Sequence, residues 1–107
     1  MYVPEHFAET NINEIRRIID QYPLGTLVTL GANGLDANQI PFDSELFDGE
    51  SGVLRAHVAR ANPIWKEVNR DSEALVVFRA ADAYISPNWF PSKFETHRLV
   101  PTWNYQV

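Results

Sequence analysis

One segment combines cationic side chains with the start signals of a helix, a combination that suits anion binding. It runs from Arg55 to Lys66 and reads R-A-H-V-A-R-A-N-P-I-W-K. Asn62 is a favoured N-cap, Pro63 suits the first helical position, and the free amides that begin a helix attract negative charge. Arg60 adds a planar guanidinium fork that matches phosphate. An ordinary capped helix, with Arg60 paired to a surface carboxylate, fits the same residues, and local features leave both interpretations open.

His57 lies in the same segment, on a predicted strand. A single histidine on a strand is more often structural than catalytic. His6 and His97 are far from it in sequence, no short metal-ligand spacing occurs, and the chain has no cysteine. A G-x-S-x-G motif and a Gly-rich phosphate loop are also missing. We therefore predict no metal site and assign no catalytic residue.

A second candidate segment, Ala83–Tyr105, is rich in aromatic residues and prolines. It holds six of the chain's 13 aromatic residues, which are Tyr84, Trp89, Phe90, Phe94, Trp103 and Tyr105. Aromatic rings supply flat apolar walls, and Ser86, Lys93 and Asn104 could orient a flat, charged ligand. A proline-stiffened loop that only covers the edge of a core has the same composition. If this segment and Arg60 act together, the ligand has a phosphate at one end and a flat ring at the other, as a nucleotide-like cofactor does.

Short strands joined by tight turns must position these residues. Asn11 and Glu14 resemble a capping box for a helix whose apolar positions run from Ile12 to Tyr22, with Pro23 as its stop. The predicted strands are Gly25–Leu30, Leu35–Phe42, Val53–Val58, Ala74–Phe78, Ala83–Ser86 and Val100–Val107, with a turn at Ala32–Gly34, a second turn at Asp48–Gly52 and a short helix at Pro63–Asn69. This pattern predicts a mostly β protein with short helices, folded as an antiparallel barrel or sandwich. The last strand would leave an open sheet edge that a partner chain or a missing part must cover.

Length and charge restrict the remaining choices. A chain of 107 residues with 45% hydrophobic content forms one domain, residues 1–107. Its net charge of −5 argues against direct nucleic-acid binding and against an anionic membrane surface. The N-terminus lacks the pattern of a secretory signal, and no apolar run is long enough to span a membrane. We therefore expect a cytoplasmic protein.

Several blocks in order resemble one family, the FMN-binding negative transcriptional regulators of the PaiB-like type. These blocks are M-Y-V-P-E-H-F at the start, L-D-A-N-Q-I-P-F at 35–42, H-V-A-R-A-N-P at 57–63, A-Y-I-S-P-N-W-F-P-S-K at 83–93 and V-P-T-W-N-Y at 100–105. The resemblance covers the chain end to end but only the N-terminal half of the family's usual length. It implies a partial FMN-binding split β-barrel with antiparallel Greek-key topology, a homodimer with FMN at the interface, and a regulatory, repressive role.

The resemblance also implies roles for individual residues. His57, Arg60 and Asn62 would hold the phosphate, while Asn38 and Gln39 would lie near the polar edge of the flavin. The remaining pocket residues, from the same subunit or from the second one, would be Tyr84, Ser86, Trp89, Lys93, Trp103 and Asn104. The chain departs from the family pattern at Gln39, where His is usual, and at Asn88 and Phe90, where Ser and Tyr are usual.

Two other functions are compatible with the sequence. One is an FMN-dependent oxidoreductase of the pyridoxamine-phosphate-oxidase or flavin-reductase type, because a flavin can transfer hydride with little help from the protein. The other is an interaction module without flavin, whose open strand edge pairs with a partner chain.

Overall fold

The computed structural model describes residues 1–46 and 52–107. Its α-helices are α1 (Ile12–Gln21), α2 (Ile64–Glu67) and α3 (Ser92–Thr96), and 3-10 turns lie at Glu5–Phe7 and Pro87–Trp89. Its strands are β1 (Leu24–Gly31), β2 (Gly34–Leu46), β3 (Gly52–Ala56), β4 (Ala74–Val77), β5 (Asp82–Ile85) and β6 (Thr102–Tyr105). All six predicted strands and both predicted helices are present, with ends shifted by a few residues. Apart from Gly52, the turn predicted at 48–52 lies outside the described residues.

Four strands form a curled antiparallel sheet in the order β3-β2-β1-β4. This order, in which the fourth strand returns beside the first, is that of a Greek key. The sheet curls along β2, which is 13 residues long. The first part of β2 pairs with β1 as far as Pro41, and its second part pairs with β3 from Phe42 onward. The structure therefore confirms a mostly β fold with short helices, in the form of a partial antiparallel barrel.

The hairpin between β1 and β2 turns at Ala32 and Asn33. Gly34 follows the turn with a φ of 108°, a conformation that only glycine adopts readily. The Asn-Gly pair therefore marked the hairpin correctly. The glycine of this pair is the residue directly after the turn, where β2 begins.

One face of the sheet, here called the inner face, carries the core. Residues alternate between faces along a strand, and the registers place Gly25, Ile40 and Phe42 together on this face. Phe78 follows β4, and its ring meets that of Phe42 edge-on, with centroids 5.6 Å apart. Gly25 lies beneath both rings, because a Cβ built there would come within 3.0 Å of Phe78 and 3.1 Å of Phe42. The sheet thus packs its aromatic core over a position that has no side chain.

Both α1 and α2 lie on the inner face. The side chain of Asp20 on α1 accepts a hydrogen bond from the Ser44 hydroxyl of β2 at 2.6 Å, and Ile19 is buried. On α2, Ile64 is buried and the Glu67 carboxylate lies over Gly31. The first helix is therefore a brace over the sheet, as its sequence predicts.

The opposite face of the sheet, here called the outer face, is apolar and exposed. It carries Leu24, Leu30, Leu35 and Leu75, which share this face through the registers of β1, β2 and β4 and are each at least 60% exposed. No helix among the described residues packs across it. Large contiguous apolar surfaces of this kind usually mark an interaction site.

The last two strands form a separate hairpin rather than completing the barrel. β5 pairs only with β6 among the described strands, and the Ala80 amide donates to the Gln106 carbonyl at 2.9 Å beside it. The Cα radius of gyration is 18.4 Å, against about 13 Å for a compact chain of this length. The described chain therefore forms only part of a barrel, as predicted, because its two sheets do not pair.

No helix among residues 1–46 and 52–107 is long and apolar enough to cross a membrane.

Candidate functional site

Arg60 lies on a tight turn that three hydrogen bonds hold in place. The amide of Asn62 donates to the carbonyl of Ala59 at 2.8 Å and closes the turn. The indole N–H of Trp65 donates to the Arg60 carbonyl at 3.1 Å. The third bond runs from the Asn62 side chain to β2, as described next. The backbone that carries the guanidinium is therefore anchored on both sides.

Asn62 connects this turn to the sheet and to α2. Its Oδ1 accepts from the Ile64 amide at 3.0 Å, and this bond confirms the predicted cap. Its Nδ2 donates to Oδ1 of Asn38 at 2.9 Å, although the two residues are 24 positions apart. The Nδ2 of Asn38 in turn donates to the carboxylate of Asp36 at 2.7 Å. Two predicted site residues, Asn38 and Asn62, are therefore in direct contact.

The start of α2 supplies less for an anion than the sequence suggests. The helix has only four residues, its Ile64 amide is already bonded to Asn62, and Pro63 has no N–H. The expectation that helix-start amides face an anion is therefore wrong for the Ile64 amide. Arg60 remains as the charged donor, since its exposed guanidinium has no hydrogen-bond or ion-pair partner among the described residues.

Lys66 places a cation on α2, the short helix that follows the Arg60 turn. Its ammonium nitrogen lies 4.9 Å from the centroid of the Trp65 ring, within cation–π distance. Trp65 thus contacts both the Arg60 turn and Lys66.

His57 occupies a different position from Arg60 and Asn62. It is exposed and lines a surface cavity of about 450 Å³ near the end of β3, together with Pro41, Phe42 and Arg55. Arg60 and Asn62 do not line this cavity. No hydrogen bond among the described residues joins His57 to Arg60 or Asn62.

Asn38 and Gln39 point to opposite faces of the sheet, because neighbouring residues on a strand alternate. Asn38 lies on the inner face, toward Asn62, whereas the Gln39 amide donates to the Thr26 hydroxyl at 2.8 Å on the outer face. A flat ring that lies against one face of β2 would therefore contact only one of the two side chains.

The aromatic candidates lie on the C-terminal hairpin and its loop. Tyr84 and Trp103 are opposite each other in the register, with ring centroids 5.6 Å apart, and Asn104 is exposed on the same strand as Trp103. Trp89 is 67% exposed on the 3-10 turn. Tyr84 and Trp103 thus form an aromatic surface on this hairpin, and no hydrogen bond among the described residues joins it to the Arg60 turn.

Polar residues shape the loop that precedes α3. The Ser86 hydroxyl accepts from the Asn88 amide at 3.2 Å and caps the 3-10 turn, while the Lys93 ammonium donates to the Asn88 side chain. Ser86 and Lys93 therefore have structural partners within the loop. The sequence predicted a loop here and missed the two short helical segments within it.

Sequence reasoning also missed two residues of the Arg60 site. The sequence analysis assigns no role to Asp36 or to Trp65. The signal available for Asp36 was the alternation of side chains between the two faces along β2, which places Asp36 on the same face as Asn38. For Trp65 it was the position one turn after the cap, where a large side chain can fold back on the loop.

Comparison with known proteins identifies the family. Residues 1–107 match the family described as "Putative FMN-binding domain". The chain belongs to this family.

Relatives of this FMN-binding-domain chain occur in bacteria and fungi. "Protease synthase and sporulation protein PAI 2" of Bacillus subtilis is 33% identical over 107 residues, which is 100% of this chain and 49% of that protein. "Uncharacterized protein YKL070W" of Saccharomyces cerevisiae is 36% identical, covering 98% of this chain and 72% of the yeast protein. "Uncharacterized protein AN0679" of Emericella nidulans is 31% identical, covering 98% of this chain and 52% of that protein. The chain thus spans about half the length of the Bacillus and Emericella relatives.

The residues of the Arg60 site fit the phosphate end of FMN. A guanidinium that has no partner among the described residues and is held on a fixed turn is the donor type that phosphate oxygens prefer. The aromatic surface on the hairpin suits a flat ring.

Proposed function

We propose that this protein binds FMN, with the phosphate on Arg60, and acts as a regulatory module. The observation that carries the proposal is the anchored turn, in which Asn62 and Trp65 hold the backbone around an arginine that has no partner among the described residues. Membership of the FMN-binding-domain family supports the choice of ligand. When bound, FMN would supply a redox-active ring, while Arg60 would bind and orient its phosphate.

We further propose that two copies form the pocket as a homodimer. The aromatic hairpin of one copy would supply ring contacts, and the Arg60 turn of the other would supply the phosphate contact. The exposed outer face and the extended shape support this arrangement, because both leave apolar surface that a second copy could cover. In such a homodimer each flavin would lie between subunits.

The regulatory role rests on the bacterial relative, whose name describes a protease synthase and sporulation protein. The net charge of −5 argues against direct contact with DNA. We therefore propose that FMN occupancy controls binding to another protein.

The first experiment is an absorption spectrum of the purified protein, followed by titration with FMN. We expect a flavin spectrum or saturable binding of added FMN. Replacing Arg60 by Ala should weaken binding by about 1.5–3 kcal/mol, because a hydrogen bond to a charged group is lost.

Arg70→Ala is the matched control for this variant. Arg70 is also exposed and unpaired among the described residues, and it lies on a turn that the Ser72 amide closes by donating to the Asn69 carbonyl at 3.1 Å. Among the described residues, no hydrogen bond links this turn to β2. It should bind FMN like the parent. If Arg60→Ala binds FMN as tightly as the parent does, the phosphate lies elsewhere and the assignment is wrong.

The exposed His57 favours one alternative, an FMN-dependent oxidoreductase. Its imidazole borders an open cavity in which a small substrate could reach a proton donor. FMN-loaded protein should then oxidise NADPH or NADH in steady state, and His57→Gln should slow the reaction. An absence of turnover would exclude this reductase activity without affecting the binding proposal.

A further inference from the structure

We propose that Asp36, Asn38 and Asn62 form a chain of hydrogen bonds that positions Arg60 and gives the site its preference for a ligand with a terminal phosphate. The proposal rests on the FMN site described above. It treats Asn38 and Asn62 as positioning residues and adds Asp36 to them. None of the three needs to contact the ligand.

The groups at the two ends of this series of hydrogen bonds determine how the side-chain amides of Asn38 and Asn62 are oriented. A carboxylate can only accept, so the amide nitrogen of Asn38 must face Asp36 at 2.7 Å. The Oδ1 of Asn38 then accepts from Asn62 at 2.9 Å. At the other end the Ile64 N–H can only donate, so it takes the Oδ1 of Asn62 at 3.0 Å. Both amides therefore have one orientation that satisfies all three bonds.

The chain ends at the turn that carries Arg60. Asn62 closes that turn through its own amide, two residues after Arg60, while Trp65 holds the Arg60 carbonyl. The bond between Asn38 and Asn62 is the side-chain link from this turn to the inner face of β2. Breaking it would free the turn to move relative to the sheet.

A fixed turn matters most for a phosphate group. The guanidinium fork binds two phosphate oxygens only in a narrow range of orientations. Holding the turn before binding removes part of the entropy cost of ordering it. A flavin without phosphate would not bind to Arg60. Its affinity should therefore not depend on the hydrogen bonds among Asp36, Asn38 and Asn62.

Two neutral substitutions break the link without changing charge. Asn62→Ser keeps a residue that can cap the Ile64 amide, but its side chain is too short to reach Asn38. Asn38→Ala removes the other partner. The double variant completes a thermodynamic cycle. Asp36→Ala removes the carboxylate, whereas Asp36→Asn keeps an oxygen that can accept from Asn38 and serves as the conservative rescue.

The experiment compares FMN with riboflavin in fluorescence titrations. We expect each single variant to lower FMN affinity about three- to thirtyfold, which lies within the range of measured couplings between contacting residues. The double variant should lose no more than the larger single loss, riboflavin affinity should stay at the parent value, and Asp36→Asn should resemble the parent. A purely structural role would lower both affinities together. Equal losses for FMN and riboflavin, or no loss for FMN, would overturn the proposal.

A second measurement separates this inference from the FMN proposal. If the parent binds no FMN, the proposed function fails, and inorganic phosphate becomes the probe. Phosphate should shift the Arg60 side-chain N–H resonance in NMR spectra of the parent and shift it less in Asn62→Ser. Hydrogen exchange at the turn amides should be faster in that variant. A phosphate response that is absent, or identical in both proteins, would overturn the inference.

Discussion

Gly25 shows how a residue without a side chain can determine the packing of a sheet. The rings of Phe42 and Phe78 meet above it, and each comes within about 3.1 Å of the place where a Cβ would stand. Gly31, on the same strand and face, has a different neighbour. Its added Cβ would meet the carboxylate end of Glu67 at 2.9 Å, and that end is free to rotate away.

We therefore predict opposite outcomes for two identical substitutions. Gly25→Ala should lower the free energy of unfolding by about 1–3 kcal/mol, because two packed rings must shift. Gly31→Ala, the matched control, should cost little, since only a flexible side chain moves. Urea denaturation followed by tryptophan fluorescence measures both. Equal stability of the two variants would show that the ring pair does not constrain Gly25.

The first helix begins at a cap whose backbone amide has a different partner from the one that the sequence suggests. Asn11 accepts from the Asn13 amide at 2.9 Å, as a cap should. The other half of the expected capping box is wrong, because Glu14 pairs with Arg17 at 2.9 Å. The Asn11 amide donates instead to the carboxylate of Glu9 at 2.7 Å. An upstream residue thus replaces the reciprocal bond.

Loss of the Asn11 cap should destabilise α1 directly. Asn11→Ala should lower the free energy of unfolding by about 0.5–2 kcal/mol. Asn11→Ser should retain most of the stability of the parent, because serine is also a favoured N-cap residue. Asn13→Ala is the control, because only the backbone amide of Asn13 takes part in the cap. Thermal unfolding by circular dichroism ranks the variants. If Asn11→Ala is as stable as Asn13→Ala, the cap does not contribute.

The described surface of the molecule carries exposed ion pairs, which contribute little to stability, and exposed apolar side chains. The ion pairs Arg16–Asp20 and Arg17–Glu14 are exposed at 3.5 and 2.9 Å, and pairs of this kind contribute about 0–1 kcal/mol each. The outer face is different, since Leu35 is 77% and Leu75 60% exposed. Covering such side chains provides most of the driving force for association.

We predict that a charge on the outer face separates the proposed dimer. Leu75→Glu and Leu35→Glu, on two different strands, should each shift the mass measured by light scattering from dimer to monomer. Asn13→Glu adds the same charge on the exposed side of α1 and should remain dimeric. A parent protein that is already monomeric would contradict the homodimer, and dimeric Leu variants would place the interface elsewhere.

Local rules were sufficient for most elements of this chain. The isoleucine spacing predicted α1, the Asn-Gly pair predicted the first hairpin, and Asn62 predicted the cap that the structure confirms. Each of these depends on residues close together in sequence, so their chemistry can be read without the fold. Family membership was equally accessible, because the motif at 57–63 and its companions appear in order along the chain.

Contacts between residues far apart in sequence decided which side chains lie together. The contact between Asn38 and Asn62 crosses 24 positions and exists only because β2 passes beneath the turn that precedes α2. The position of His57 at a cavity that Arg60 and Asn62 do not line follows from where β3 ends. Strand register and sheet curvature set these relations, and both depend on packing between distant segments. The sequence by itself therefore determined the elements and the family, whereas only the tertiary structure decided which side chains share a site.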